Sequence, residues 1–138
     1  MLKKTLTLIL LIATLSLTAC GGGAGGSGSD GLAVVYEVQL MTLESFPLQI
    51  QATVRGNFPD ACTQLGEVSQ SFDQKNKMLR VRIPATRPAD AVCAQMLSPF
   101  ETTVPLEVYG LPAGTYTVDV NGVFVQFTLA QDNILPSP

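Results

Sequence analysis

The sequence predicts an all-β fold, a two-layer antiparallel sandwich of about seven strands. Three observations carry that expectation. Apolar and polar residues alternate with period two in several short runs, prolines at 47, 59, 84, 88, 99, 105 and 112 punctuate the connections, and Cys62 and Cys93 form an even pair in a region of about one hundred residues. A chain of that length suits one domain with a real core.

Taken in order, residues 32–41 read as a first strand, irregular because Ala33, Val34 and Val35 are consecutive. Leu48, Ile50, Ala52 and Val54 alternate with Gln49, Gln51, Thr53 and Arg55, the period of a strand with one buried and one wet face. Residues 66–72 read as another strand, joined through Asp73-Gln74-Lys75-Asn76 to one carrying Leu79, Val81 and Ile83 against Arg80 and Arg82. Val104, Leu106 and Val108 repeat the rule. Tyr116, Val118 and Val120 then point inward, and Asn121-Gly122 is the strongest two-residue hairpin signal, leading into Val123, Val125, Phe127 and Leu129. The one stretch left for a helix is residues 90–97, where Asp90 could cap one or two turns. Phe46, Phe58, Phe100 and Phe124 fall near strand ends or on the second face, where capping of the core is the expected role. Strands of this number and length around an internal disulfide point to the immunoglobulin-like type of sandwich.

The segment Leu111-Pro112-Ala113-Gly114-Thr115-Tyr116-Thr117-Val118 resembles the L-P-x-G-x-Y-x-V start of a late strand in fibronectin-type, transthyretin-like and other bacterial immunoglobulin-like modules. The resemblance implies a tyrosine corner, with the Tyr116 ring in the core and its hydroxyl on nearby backbone. It argues a fold and carries no activity. The chain has no tryptophan and so lacks the core tryptophan of antibody-type domains.

The leading residues concern place. Lys3 and Lys4 precede an uncharged run over 5–17 that is too short for a comfortable membrane span, which needs about 20 apolar residues. It reads as a secretory signal. Leu17-Thr18-Ala19-Cys20 resembles the lipobox of bacterial lipoproteins. The resemblance implies cleavage before Cys20, a diacylglycerol on its sulfur, palmitate-type acyl chains in a membrane, and residence on the extracytoplasmic face. Two acyl chains hold firmly where one is marginal. Gly21 follows the cysteine in place of the Asp that favours inner-membrane retention, so outer-membrane sorting is permitted in a Gram-negative source. The tract from Gly21 to Asp30 is a flexible coil spanning roughly 15–20 Å on average. Its G-x-G-x-x-G match, Gly21, Gly23 and Gly26, neither follows a strand nor opens a helix, as a phosphate site requires. The expected division is a signal peptide at 1–19, lipidated cysteine and linker at 20–31, sandwich at 32–131 and tail at 132–138.

Cleavage leaves six basic and eleven acidic side chains, a net charge of −5, which argues against nucleic acid as a partner. In an oxidising compartment Cys62 and Cys93 should pair, and closing that loop stabilises by roughly 3–4 kcal/mol. The chain has no histidine, which removes Ser-His-Asp and Cys-His catalysis and the usual zinc sites. Glu37, Glu44, Asp60, Glu67, Asp90 and Glu101 have the right chemistry for a glycosidase but no pairing in their spacing. Asp119, Asn121, Asp132 and Asn133 do not form a calcium-loop series. Neither enzyme, metal nor cofactor is expected.

The remaining candidate is a basic cluster, Lys75, Lys77, Arg80, Arg82 and Arg87, as a stripe for an anionic partner. The bland reading is that it blunts an exposed strand against edge pairing. The functional expectation is therefore a membrane-anchored, non-catalytic binding or structural module, with an envelope protein or a polysaccharide as partner. The alternatives are a glycan binder and a protease inhibitor. The N-P-T-T-G-Y-like loop of chagasin-type inhibitors is not present.

Overall fold

A computed structural model describes residues 31–135. The signal sequence, Cys20 and nearly all of the linker lie outside the described residues, as do residues 136–138. Ten strands are formed: β1 (Gly31–Leu32), β2 (Val34–Leu43), β3 (Gln49–Phe58), β4 (Gln64–Leu65), β5 (Ser69–Asp73), β6 (Met78–Arg82), β7 (Pro84–Thr86), β8 (Ser98–Pro105), β9 (Gly114–Val120) and β10 (Val123–Leu129). One layer is ordered β2-β3-β8, the other β10-β9-β6-β5, and a short sheet β1-β7-β4 extends one end. The architecture is a β-sandwich.

The count exceeds seven because three expected strands are interrupted. Residues 32–41 break at Ala33, whose amide donates to the Ile83 carbonyl, and the register slips between Val35 and Glu37. The continuous apolar run thus becomes a bulge, not one regular strand. Ile83 likewise separates β6 from β7, which opens at Pro84, and residues 66–68 part β4 from β5. The strand expected around Val104 starts earlier, at Ser98, and ends at Pro105, although Leu106 and Val108 remain buried beyond it.

One pairing departs from an all-antiparallel plan. β6 and β9 run parallel, with Leu79 opposite Val118 and Val81 opposite Val120. After β6 the chain crosses to the other layer, runs back along β8 and crosses again before β9. Two crossings restore the original direction, so parallel pairing follows from the topology.

The strands carry their apolar faces inward as the alternation requires. Ile50, Ala52, Val54 and Phe58 of β3 share one core with Leu79 and Val81 of β6, Tyr116, Val118 and Val120 of β9, and Phe127 and Leu129 of β10. Asn121 and Gly122 both have positive φ, 48° and 95°, as a two-residue type I′ hairpin demands. The phenylalanines divide: Phe58 is buried and stacks on Phe100 with centroids 4.7 Å apart, whereas Phe46 and Phe124 are exposed. Residues 90–97 form no helix; Pro88, Pro99 and the bond at Cys93 hold them as an irregular loop. The fold also reaches past residue 131, since Asn133 is fully buried.

The sandwich has two poles. The near pole collects Gly31, the ends of β3 and β7, the start of β8 and the β9–β10 turn; the far pole collects the β2–β3 and β5–β6 loops, the start of β9 and Leu135.

Candidate functional site

At the near pole β3 ends in Phe58-Pro59-Asp60, and the turn that follows makes Asp60 a local cap. Its Oδ1 accepts from the Cys62 amide, the Thr63 amide and the Thr63 hydroxyl, each at 2.9 Å. Its Oδ2 lies 2.8 Å from Arg87 Nε, a charge contact without the alignment of a hydrogen bond. Burial pushes the Asp60 carboxyl upward, but the Thr63 hydroxyl, the two amides and Arg87 together outweigh it and hold the pKa below the ordinary 3.8. Beside this pair Cys62 and Cys93 are joined in a disulfide with Cα atoms 5.7 Å apart. Asp60, Cys62 and Cys93 lie close enough to suggest a metal centre. The disulfide consumes both thiolates, so the trio has no ligand set of that kind.

A cavity of about 530 Å³ opens above Asp60 and Arg87. Gly31, Leu32, Val34, Phe58, Ala85 and Gln95 are among the residues that line it. Its charged members, Asp60 and Arg87, are held against one another as an ion pair. Nothing in it is arranged to attack or protonate a substrate.

The basic cluster does not assemble into one patch. Arg80 and Arg82 do face outward from β6, but each meets a carboxylate: Arg80 reaches Asp73 at 3.4 Å and Arg82 reaches Asp119 at 2.9 Å. Asp119 is buried; burial raises its pKa, while Arg82, the Gly122 amide and Arg80 bring it below 3.8. Arg87 stands at the near pole on Asp60, and Lys75 and Lys77 lie in the β5–β6 turn at the far pole. Lys77 Nζ sits 5.9 Å over the Tyr116 ring. The sheet face is thus a charge-balanced ladder in place of a basic stripe. Edge protection does not explain it either, because β6 has a neighbour on both sides. The opposite layer repeats the pattern: Arg55 on β3 pairs with Glu37 on β2 at 3.2 Å and Glu101 on β8 at 2.6 Å. Sequence reasoning missed both ladders, since all the partners but Arg80 and Asp73, which are seven apart, lie 18 to 46 residues from each other.

The residues weighed for calcium are all engaged in holding the chain. Asn121 accepts from the Ile83 amide and donates to the Ala33 and Ile83 carbonyls. Asn133 accepts from the Leu48 amide at 2.6 Å and donates to the Leu48 and Val108 carbonyls. Asp132 receives the Ala113 amide, and Asp119 receives that of Gly122. Tyr116 is the expected corner, its ring buried and its hydroxyl donating to the Pro112 carbonyl at 2.7 Å.

With Asp60 and Arg87 paired internally, the near pole presents several apolar side chains outward. Leu32, Val34, Val92, Met96 and Leu97 are all exposed. No signal of periodicity marks them, because an exposed apolar loop looks in sequence like a short buried one.

The family described as ORF11 beta-sandwich domain matches residues 52–129. An uncharacterized 10.2 kDa protein in the HgiCIIM 5′ region of Herpetosiphon aurantiacus is 34% identical over 90 residues, 65% of this chain and 93% of that protein. A second from the same organism, in the HgiBIM 5′ region, is 34% identical over 79 residues, 57% of this chain and 93% of its own length. No solved structure matches the chain.

Proposed function

The chain belongs to the ORF11 beta-sandwich domain family, and on that footing we propose that it is a lipid-anchored extracytoplasmic protein whose sandwich serves as a non-catalytic binding or structural module. Diacylglycerol on Cys20 holds it to the membrane, the Gly/Ser tract gives it slack, and an envelope protein or polysaccharide is its partner. The observation that carries this reading is the Cys62–Cys93 disulfide, in a chain whose Leu17-Thr18-Ala19-Cys20 resembles a lipobox. Disulfides persist where the environment oxidises, which is where a cleaved lipoprotein signal delivers a chain. The non-catalytic half of the reading is supported by the internal satisfaction of Asp60, Asp119 and Asp73, which leaves these carboxylates occupied in structure.

The test is the mass of the mature N-terminal peptide, with membrane fractionation of the full chain and of Cys20→Ala. Cys20 at the N-terminus carrying a diacylglycerol, membrane-bound in the full chain and released in Cys20→Ala, is the expected result. An unmodified Cys20, or a leader retained ahead of it, overturns the reading.

A further inference from the structure

The loop of residues 88–97 combines two properties that rarely coincide: it is apolar at its tips and it is fixed in place. Val92 is fully exposed, and Met96 and Leu97 are 60% and 70% exposed. Yet the loop is fastened at several points. Cys93 is bonded to Cys62, the Ala61 amide donates to the Ala94 carbonyl at 3.2 Å, and Arg87 reaches the Ala91 carbonyl at 3.4 Å. A chain that needed only a connection between β7 and β8 would gain nothing by holding three large apolar side chains in water.

We propose that this loop docks into the surface of the bilayer that holds Cys20, with Val92, Met96 and Leu97 entering the interface between headgroups and acyl chains. The inference rests on the lipid-anchored reading above. Its own support is the place where the tether ends. Ten residues separate Cys20 from Gly31, and Gly31 lines the same cavity as Gln95 of the loop. For a tether of that length and Gly/Ser composition the expected mean span is roughly 15–20 Å, which would keep the near pole beside the membrane. Leu32 and Val34, exposed beside Gly31, extend the apolar rim on the tether side. The far pole also exposes apolar side chains, Phe46, Tyr109 and Leu135 among them. It stands the length of β3 away, about 30 Å for ten residues, on the side opposite the tether.

Tethering also removes the need for high affinity. A few side chains inserted about 5–10 Å deep would bind weakly from solution, but an anchored domain meets the surface at an effective concentration in the millimolar range. Charge identifies the kind of surface. Within residues 88–97 the one ionisable side chain is Asp90, and the neighbouring Arg87 is committed to Asp60. The contact is therefore apolar, indifferent to salt and no stronger on anionic lipid than on zwitterionic lipid.

The absence of tryptophan provides the probe, since Leu97→Trp and Tyr109→Trp each create a sole indole at opposite poles. Both variants are prepared as mature protein, the diacyl modification is checked by mass, and they are reconstituted in phosphatidylcholine vesicles with and without brominated acyl chains. The expected result is blue-shifted emission from Leu97→Trp that brominated lipid quenches and high salt does not restore, with Tyr109→Trp unquenched. Replacing Val92 and Met96 by Ser in the Leu97→Trp background should abolish the quenching while the protein still floats with the vesicles. Vesicle-bound protein with no quenching at position 97, or equal quenching at both poles, overturns the docking and leaves the anchor standing. A blue shift without quenching does the same and assigns the loop to a protein surface. Lack of the diacyl mass and of flotation overturns the anchor and the docking together.

Discussion

At the far pole one neutral side chain, Asn133, bridges the segments around Leu48 and Val108, and Tyr116 ties the start of β9 to Pro112. At the near pole Asn121 bridges Ala33 and Ile83 in the same way, but closure also depends on a carboxylate, Asp60, and on a disulfide. Both ends solve the same problem, which is to satisfy backbone groups left over where strands stop. They differ in what can undo them. Amide hydrogen bonds from an asparagine ignore redox state and pH, whereas the disulfide answers to the first and Asp60 to the second.

The largest effect should come from Asn133→Ala. It deletes three hydrogen bonds at a site that is 1% exposed, strands the Leu48 amide and carbonyl, and leaves the Val108 carbonyl only the long 3.4 Å bond from the Leu111 amide. Each stranded group costs about 1–3 kcal/mol, so a loss of roughly 3–5 kcal/mol is expected in urea unfolding. Asn133→Asp keeps the acceptor and loses both donors, and should recover only part of it. A loss near zero would mean that the far pole is closed by packing alone.

The disulfide is the corresponding test of the near pole. Removing it in the Cys62→Ser, Cys93→Ser double variant frees a 31-residue separation and should cost about 3 kcal/mol, acting largely through the unfolded chain. The same variant should leave the Tyr116 corner intact, so near-ultraviolet signals from the far pole serve as an internal control. If reduction disturbs both poles equally, they are not independent regions.

How far each pole is legible in the sequence follows from the range of its interactions. The Asn121-Gly122 hairpin is readable because both of its strands and its turn lie within sixteen residues of each other. Tyr116 and its acceptor Pro112 are four apart, so the corner is local chemistry as well. Cys62 with Cys93 is readable by counting. Asn133, by contrast, works 85 residues from Leu48, and its type and spacing suggest nothing more than a tail. The basic cluster fails for the same reason: Arg82 is adjacent to Arg80 in pattern, but Asp119 that neutralises it is 37 residues away. The exposed loop is hidden differently. Val92, Met96 and Leu97 have no period, and only the path of the chain decides whether they face core or water.

A smaller effect separates the corner from the rest of the far pole. Tyr116→Phe keeps the ring against Phe127, whose centroid is 5.3 Å away, and removes only the hydroxyl. The Pro112 carbonyl loses its donor, so about 1–1.5 kcal/mol should be lost. A value several times larger would make the hydroxyl, and not Asn133, the principal closure of that pole.

The finest test uses pH, because Asp60 at the near pole and Tyr116 at the far pole are shifted in opposite senses. Asp60 is held below 3.8, so its contribution is present above that value and disappears as pH falls through the lower folded pKa. Burial, then the nearby Asp132, raises Tyr116 above the ordinary 10.0. The neutral phenol is the form the fold favours, so its contribution is present below pH 10 and is lost as pH rises through the folded value. Acid should therefore loosen the near pole and alkali the far one. Asp73, which closes the β5–β6 turn of the far pole, and Asp119 are also depressed and add to the acid limb, which is why variants are needed to apportion it. In stability profiles against pH, Asp60→Asn should make the acid limb shallower and leave the alkaline limb unchanged. Tyr116→Phe should do the reverse. Hydrogen exchange at the Thr63 amide in acid and at the Asn133 amide in alkali would show whether each pole opens by itself. If both amides exchange together at either extreme, the sandwich opens as one unit and its two closures share a single cooperative transition.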